Sequence, residues 1–247
     1  MNSTLMALLL PPLLLVPAMG ILSRIGIKHG LGEEWRRKAL HIGIGLVALT
    51  FPFYLTTTWV VLGALGLSLI WMLAVRRLPF LIKRFGCVLH DVDRISYGEL
   101  YYALAIAALL LATFEEPLLY IIPLSILAIA DAAAAIAGRT FPSRQLSGLF
   151  AGKTVAGCVT FFLIALCVCA LVLATSTQLP VLQILLSSIA VAAVTTLVEA
   201  VSRYGLDNLL IPAAAWIVLK ALELPIYIEA DAVAWLREGF DVLLRGV

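Results

Sequence analysis

Apolar residues in this chain come in long uninterrupted runs, and polar residues are confined to the short segments between them. Several runs approach about 20 residues, the length an α-helix needs to cross the hydrocarbon core of a bilayer. No stretch alternates apolar and polar positions in the manner of a barrel strand, and helices are the other structure that satisfies its backbone inside lipid. The pattern predicts eight spans, at about 4–23, 40–55, 58–75, 98–114, 117–137, 154–174, 181–200 and 207–223. Pro52, in the segment FPFYLTTT, separates the second from the third, because one helix from His41 to Val75 is too long for a single crossing. Pro11, Pro12 and Pro17 predict a kink in the first. The expected fold is therefore all-α, a polytopic transmembrane helix bundle in which residues 1–247 form a single integral membrane domain.

Composition agrees with the pattern. The 247 residues are 63% hydrophobic and 13% charged, with a mean hydropathy of +1.08, whereas soluble domains carry roughly 25% charged residues. A net charge of +2 is too small to imply a nucleic-acid partner. Its distribution says more. Segments 24–38 and 76–94 hold five Lys or Arg each, 139–153 holds three, and Arg203 adds one, so 14 of the 17 basic residues fall in alternate loops. The intervening loops FYLTTT, FEEP and TSTQLP hold none, and Lys220, Arg237 and Arg245 lie towards the C-terminal end. By the positive-inside rule the N-terminus faces out and the basic loops face the cytoplasm, as expected for a protein of a bacterial inner membrane. No Lys or Arg precedes the first apolar run, so that run is expected to be a retained helix and not a cleaved signal peptide. In 231–247, Val233, Leu236, Phe240, Leu243 and Leu244 recur at helical spacing. That pattern fits an amphipathic helix at the membrane interface or one packed on the bundle. Cys87, Cys158, Cys167 and Cys169 show no paired metal-ligand spacing and carry no assigned function.

Charged residues inside or at the ends of spans are costly and mark candidate chemistry. Asp131, in LAIADAAAAIAGRTF, is surrounded by Ala and Ile. It is either a Mg²⁺ ligand for a nucleotide's phosphates or half of an ion pair with Arg139 or another cation. The following segment brings Gly138, Gly148, Gly152 and Gly157 together with Arg139, Arg144 and Lys153. Glycines let a backbone approach phosphate, and the cations neutralise it. GKT at 152–154 is not a P-loop, since position 147 is Ser147 and no strand precedes it. In EEWRRKALHIGIG, Arg37, Lys38 and His41 can share one helical face, His41 being either a satisfied core residue or part of a site. In VEAVSRYGLDNLLIP, Glu199 closes the seventh span, while Asp207 and Asn208 open the eighth, where Asp207 also suits a helix cap. Tyr97, Tyr101 and Tyr102 read as interface anchors. Acidic residues for a metal and basic residues for phosphates, all at one membrane face, describe phosphoryl or nucleotidyl transfer.

RRKALHIGIG (36–45), ISYGELYYAL (95–104), ADAAAAIAGR followed by GKTVAG (130–157), and VEAVSRYGLDNLLIP (198–212) resemble the dolichol kinase and phytol kinase family, which includes CTP-dependent diacylglycerol kinases. The motifs cover most of the chain. The resemblance implies transfer of the CTP γ-phosphate to the hydroxyl of an isoprenoid alcohol or of diacylglycerol, with Mg²⁺ or another divalent cation. It implies that Asp131 holds the metal, and that Lys153, Arg139, Gly138, Gly152, Thr154 and Gly157 meet phosphates. Arg37, Lys38 and His41 supply a further basic cluster, and Glu199, Asp207 and Asn208 complete the polar site, with either carboxylate taking the hydroxyl proton. Ala130, Pro142 and Cys158 depart from the family pattern. The implied partners are a lipid alcohol, a nucleotide and membrane lipids, with the oligomeric state open. A CTP:phosphatidate-type cytidylyltransferase is the alternative enzyme, though its long acidic signature is absent. A transporter or flippase is the alternative of another class, and would place its charges near the midplane.

Overall fold

The structure, a computed structural model, describes residues 32–80, 97–150 and 152–225, together with 17, 20, 21, 28, 235, 237–240 and 242. The first expected span lies almost wholly outside these residues, as does most of 76–94. Helices account for nearly all of the regular structure described, and among the described residues one bridge between extended segments joins Gln145 to Thr154. The chain forms two compact units, residues 1–96 with 231–247 and residues 97–230.

In the first unit, α1 spans Glu33–Ala48, a 3-10 turn covers Phe51–Phe53, and α2 spans Thr58–Arg77. The expected span at 40–55 is thus displaced seven residues towards the N-terminus. The charged stretch EEWRRK lies inside the helix, and Pro52 terminates the helical path as a turn. In the C-terminal segment, Phe240 stacks parallel on Phe53 with ring centroids 6.0 Å apart, and Tyr54 is 5.3 Å away. Of the two sequence expectations for this segment, its aromatic contact is with the chain's own 51–54 turn.

In the second unit, α3 spans Gly98–Ala112, α4 Pro117–Thr140, α5 Val155–Ser176, α6 Val181–Val201 and α7 Asp207–Ala221. Among the described residues α4, α5 and α6 are long and apolar enough to cross a membrane, while Thr58–Ala74 and Gly98–Ala112 are shorter apolar helices. On α5, Val159, Leu163, Cys167 and Leu171 stand exposed at four-residue intervals. On α6, Leu182, Leu185, Leu186, Ile189 and Leu197 do the same at helical spacing. An exposed apolar stripe of this length is a lipid-facing surface, and the protein is a membrane protein.

Helix α4 is the centre of the unit: it packs against α5 and α7, and Leu118, Leu119, Tyr120, Ile122, Leu124, Ile126 and Leu127 are almost fully buried. A helix that is apolar all round is one enclosed by others. Pro123 removes a backbone donor from its interior, and residues Ile126–Ala130 follow as a π-helical segment. A π turn takes one more residue than an α turn, so it re-aims every side chain after it. The first residue beyond it is Asp131.

Helix α4 crosses α5 where two glycines meet. A Cβ on Gly138 would lie 3.8 Å from the Gly157 Cα and only 2.8 Å from Thr154 Oγ1. One on Gly157 would lie 3.2 Å from the Ala134 carbonyl oxygen. These two glycines, expected to admit phosphate, let the helices touch, and so bring the end of α4 against the start of α5.

Candidate active site

The ends of α4 and α6 and the starts of α3, α5 and α7 all lie at one end of the second unit, which follows from the alternating directions of consecutive helices. Lys153 is the last residue but one before α5. Its backbone is fixed on both sides: its N–H donates to the Phe150 carbonyl at 3.1 Å, and its own carbonyl accepts from Leu146 N–H at 2.9 Å. Thr154 caps α5, its Oγ1 accepting from Gly157 N–H at 3.1 Å. From this anchored position the Lys153 ammonium forms an ion pair with Glu199 Oε1.

Glu199 sits two residues before the end of α6 and is buried. Its Oε1 takes the lysine, whereas Oε2 is buried with no hydrogen-bond partner among the described residues. Asp207 Oδ2 lies 4.0 Å from the Lys153 Nζ, and Asp131, also buried, acts electrostatically on the same lysine. Burial by itself would lower the Lys153 pKa, but Glu199 above all, then Asp207 and Asp131, outweigh it and hold the ammonium above its ordinary value. One cation is thus set among three carboxylates.

Asp207 is not a helix cap. It is the first residue of α7, after the N-cap residue Leu206, and its Oδ1 accepts from Asn208 N–H at 3.1 Å. A carboxylate in a first helical turn is favoured by the helix dipole. Asn208 reaches elsewhere, its Nδ2 donating at 2.8 Å to the buried carbonyl of Gly98 at the start of α3. This bond ties together two helix starts separated by 110 residues of sequence.

Of the residues expected from sequence, Asp131, Lys153, Glu199 and Asp207 come together, with Asn208 beside them. Arg139 is exposed in the last turn of α4, about 12 Å of helical rise from Asp131. Gly152 lies in the loop before Lys153 at φ 93°, a backbone conformation that suits glycine. Arg37, Lys38 and His41 lie in the other unit, on α1, where Lys38 and His41 are buried. Arg37 makes a two-pronged contact with Glu34, at 2.7 and 3.1 Å. Glu34, Lys38 and His41 recur at helical spacing, so one face of α1 carries three buried polar groups. Glu34 belongs to this cluster and was legible only by extending the spacing one turn back.

Tyr102 departs from expectation. Tyr97 is exposed, as an interface anchor should be, but Tyr102 is 4% exposed and is an electrostatic neighbour of Asp131. Gly98, Tyr102, Ala105 and Leu109 form the buried face of α3, and that spacing was the available signal.

Among the described residues no three acidic, histidine or cysteine side chains converge closely enough to hold a metal by themselves. Mg²⁺ seldom requires this. It takes one or two carboxylates and completes its shell with substrate phosphates and water. Three carboxylates around one lysine, with Glu199 Oε2 buried and unpartnered, fit a cation of that kind.

Comparison with known proteins identifies the family. The chain is 30% identical over 192 residues to the phytol kinase of Synechocystis sp., a match covering 76% of this chain and 79% of the relative. This chain belongs to the phytol kinase family. Family-level chemistry is therefore that of a kinase, a phosphotransferase acting on a lipid alcohol. No family model matches the chain, and no solved structure matches it.

Proposed function

We propose that this protein transfers the γ-phosphate of CTP to the hydroxyl of an isoprenoid alcohol of the phytol or polyprenol type, at the cytoplasmic face of a bacterial inner membrane. The observation that carries the proposal is the half-buried Lys153 ammonium among Glu199, Asp207 and Asp131, at the end of an apolar bundle. The phytol kinase relative supports the acceptor class. The excess of basic residues in the loops at this end, Arg139, Arg144, Lys153 and Arg203, supports the cytoplasmic assignment.

In the reaction the acceptor oxygen forms a bond to the γ-phosphorus while the bond from that phosphorus to the β-γ bridging oxygen breaks, releasing CDP. Such transfer is governed by positioning and charge stabilisation. Lys153 draws in the donor phosphates and balances the charge that develops on the leaving oxygen. Glu199 Oε2, with no donor of its own, is the acceptor for the hydroxyl proton. Asp131 and Asp207 would hold Mg²⁺, which would supply further charge neutralisation when bound with nucleotide. The lipid chain stays among the apolar helices, so only the hydroxyl has to reach the polar end.

The test is label transfer by purified protein in detergent, with γ-labelled CTP or ATP, Mg²⁺ and a panel of phytol, farnesol, undecaprenol and diacylglycerol. Label is expected in the chloroform phase with CTP and an isoprenoid alcohol, and is expected to vanish in Asp131→Ala. Lipid labelled only from α-labelled CTP would establish the cytidylyltransferase reaction instead. No lipid label from either donor would refute the kinase reading.

A further inference from the structure

Arg203, in the turn between α6 and α7, is an exposed cation four residues beyond Glu199 and four before Asp207. Its Nη2 does not pair with a carboxylate there. It crosses to the 141–153 segment and donates to the carbonyl of Gly148 at 3.1 Å and to that of Leu149 at 3.4 Å. These carbonyls form the tip of that segment, a 3-10 turn at Gly148–Phe150 in which Gly148 has φ 68°. The base is closed by the backbone bonds from Leu146 to Lys153 and from Val155 to Arg144, and by the Ser143 hydroxyl accepting from Ala156 N–H. The tip is exposed, with Leu149 75% accessible.

The 199–207 segment therefore grips the loop at two points. Glu199 holds the Lys153 side chain at the base, and Arg203 holds the tip. Incoming phosphates compete with Glu199 for the ammonium and so weaken the first grip at the moment the loop has to be in place. The second grip does not involve Lys153 and survives that exchange.

We propose that Arg203 is a positioning residue for the phosphate donor: by holding the Gly148 and Leu149 carbonyls it keeps the loop, and with it Gly152 and Lys153, in register with Glu199 and Asp207. This rests on the reading of Lys153 as the phosphate-binding group. A guanidinium suits the task because its planar fork presents fixed donors, whereas a lysine is a point charge that satisfies one carbonyl at a time.

Two readouts test the proposal on the full-length protein in detergent. In Arg203→Ala, the KM for CTP is expected to rise about tenfold, the size of effect that losing a charged hydrogen-bond donor produces, while kcat changes less than about threefold. Arg203→Lys is expected to fall between the two. Trypsin cleavage after Arg144 is expected to accelerate in Arg203→Ala and to be intermediate in Arg203→Lys. A KM unmoved in an enzyme that turns over CTP would overturn the proposal, as would unchanged cleavage after Arg144. Cleavage is read without nucleotide, so the tether is measured even where the transfer assay refutes the kinase reading. Arg203 is exposed, so these variants leave the apolar core intact.

Discussion

Replacing Lys153 by methionine keeps most of the side-chain volume and removes the cation from among three carboxylates. At the 4.0 Å between Lys153 Nζ and Asp207 Oδ2, two unit charges in an effective dielectric of about 20 attract by about 4 kcal/mol. The closer Glu199 contact is stronger, but desolvation of the buried groups offsets much of the gain. The cost of the substitution comes mainly from what it leaves behind, a Glu199 carboxylate that is 7% exposed and has lost its partner. Removing one half of a buried pair costs about 3–5 kcal/mol, and about 2–4 °C of Tm per kcal/mol puts the fall near 10 °C. In the double variant Lys153→Met, Glu199→Gln the carboxylate that Lys153 contacts directly is no longer stranded, and more than half of that loss is expected to return. The coupling from the double-mutant cycle should be about 2–3 kcal/mol. Tryptophan fluorescence during thermal unfolding in detergent measures it, and label transfer on the same samples should show no recovery of activity. A double variant as unstable as the two single losses added together would refute the reasoning, because it would mean that the charges do not depend on each other.

The raised pKa of Lys153 has a consequence for stability against pH. A lysine held charged above its ordinary value contributes stability that is complete below the unfolded-state pKa, about 10.4, and is lost as pH rises through the higher folded value. Unfolding of the wild type is therefore expected to show an alkaline loss above about pH 10.4 that Lys153→Met lacks, with no Lys153-dependent change across the neutral range. In Gly138→Ala the new Cβ meets Thr154 Oγ1 at 2.8 Å, so the hydroxyl that caps α5 has to shift. A loss of about 1–3 kcal/mol in unfolding free energy is expected, with transfer activity reduced because Lys153 adjoins the crossing. In Asn208→Ala the bond from the Nδ2 to the buried Gly98 carbonyl is lost, and the expected cost is about 0.5–1.5 kcal/mol in the same assay. The aspartate variant of that position is expected to be no better, since a carboxylate cannot donate to a carbonyl.

The sequence by itself determined the helical class and the candidate charges, because crossing a bilayer requires apolar runs of fixed length and makes every charge inside them costly. Asp131, Lys153, Glu199 and Asp207 stood out for that reason, each being a charged group in or beside Ala- and Val-rich surroundings. The sequence was weaker on local boundaries. Nothing in the hydropathy of 33–48 separates a helix that begins at Glu33 from one that begins at His41, since charged residues form helix as readily as apolar ones.

What the tertiary structure decided was which side of each helix faces which neighbour. A π segment after Pro123 set the direction of Asp131, a rotation that hydropathy does not register. Tyr102 is adjacent in sequence to Tyr101 yet lies on the buried face beside Asp131, because successive helical residues point about 100° apart. Gly138 and Gly157, singled out in the sequence for phosphate approach, also lie where α4 and α5 pack. Lys220, which sequence left at the C-terminal end, pairs with Glu116 at 2.6 Å, at the end of the unit opposite the Lys153 cluster. Each of these depends on contacts between residues far apart in the chain. A pattern along one strand of sequence carries depth and periodicity, and pairing in space becomes fixed only when the helices pack.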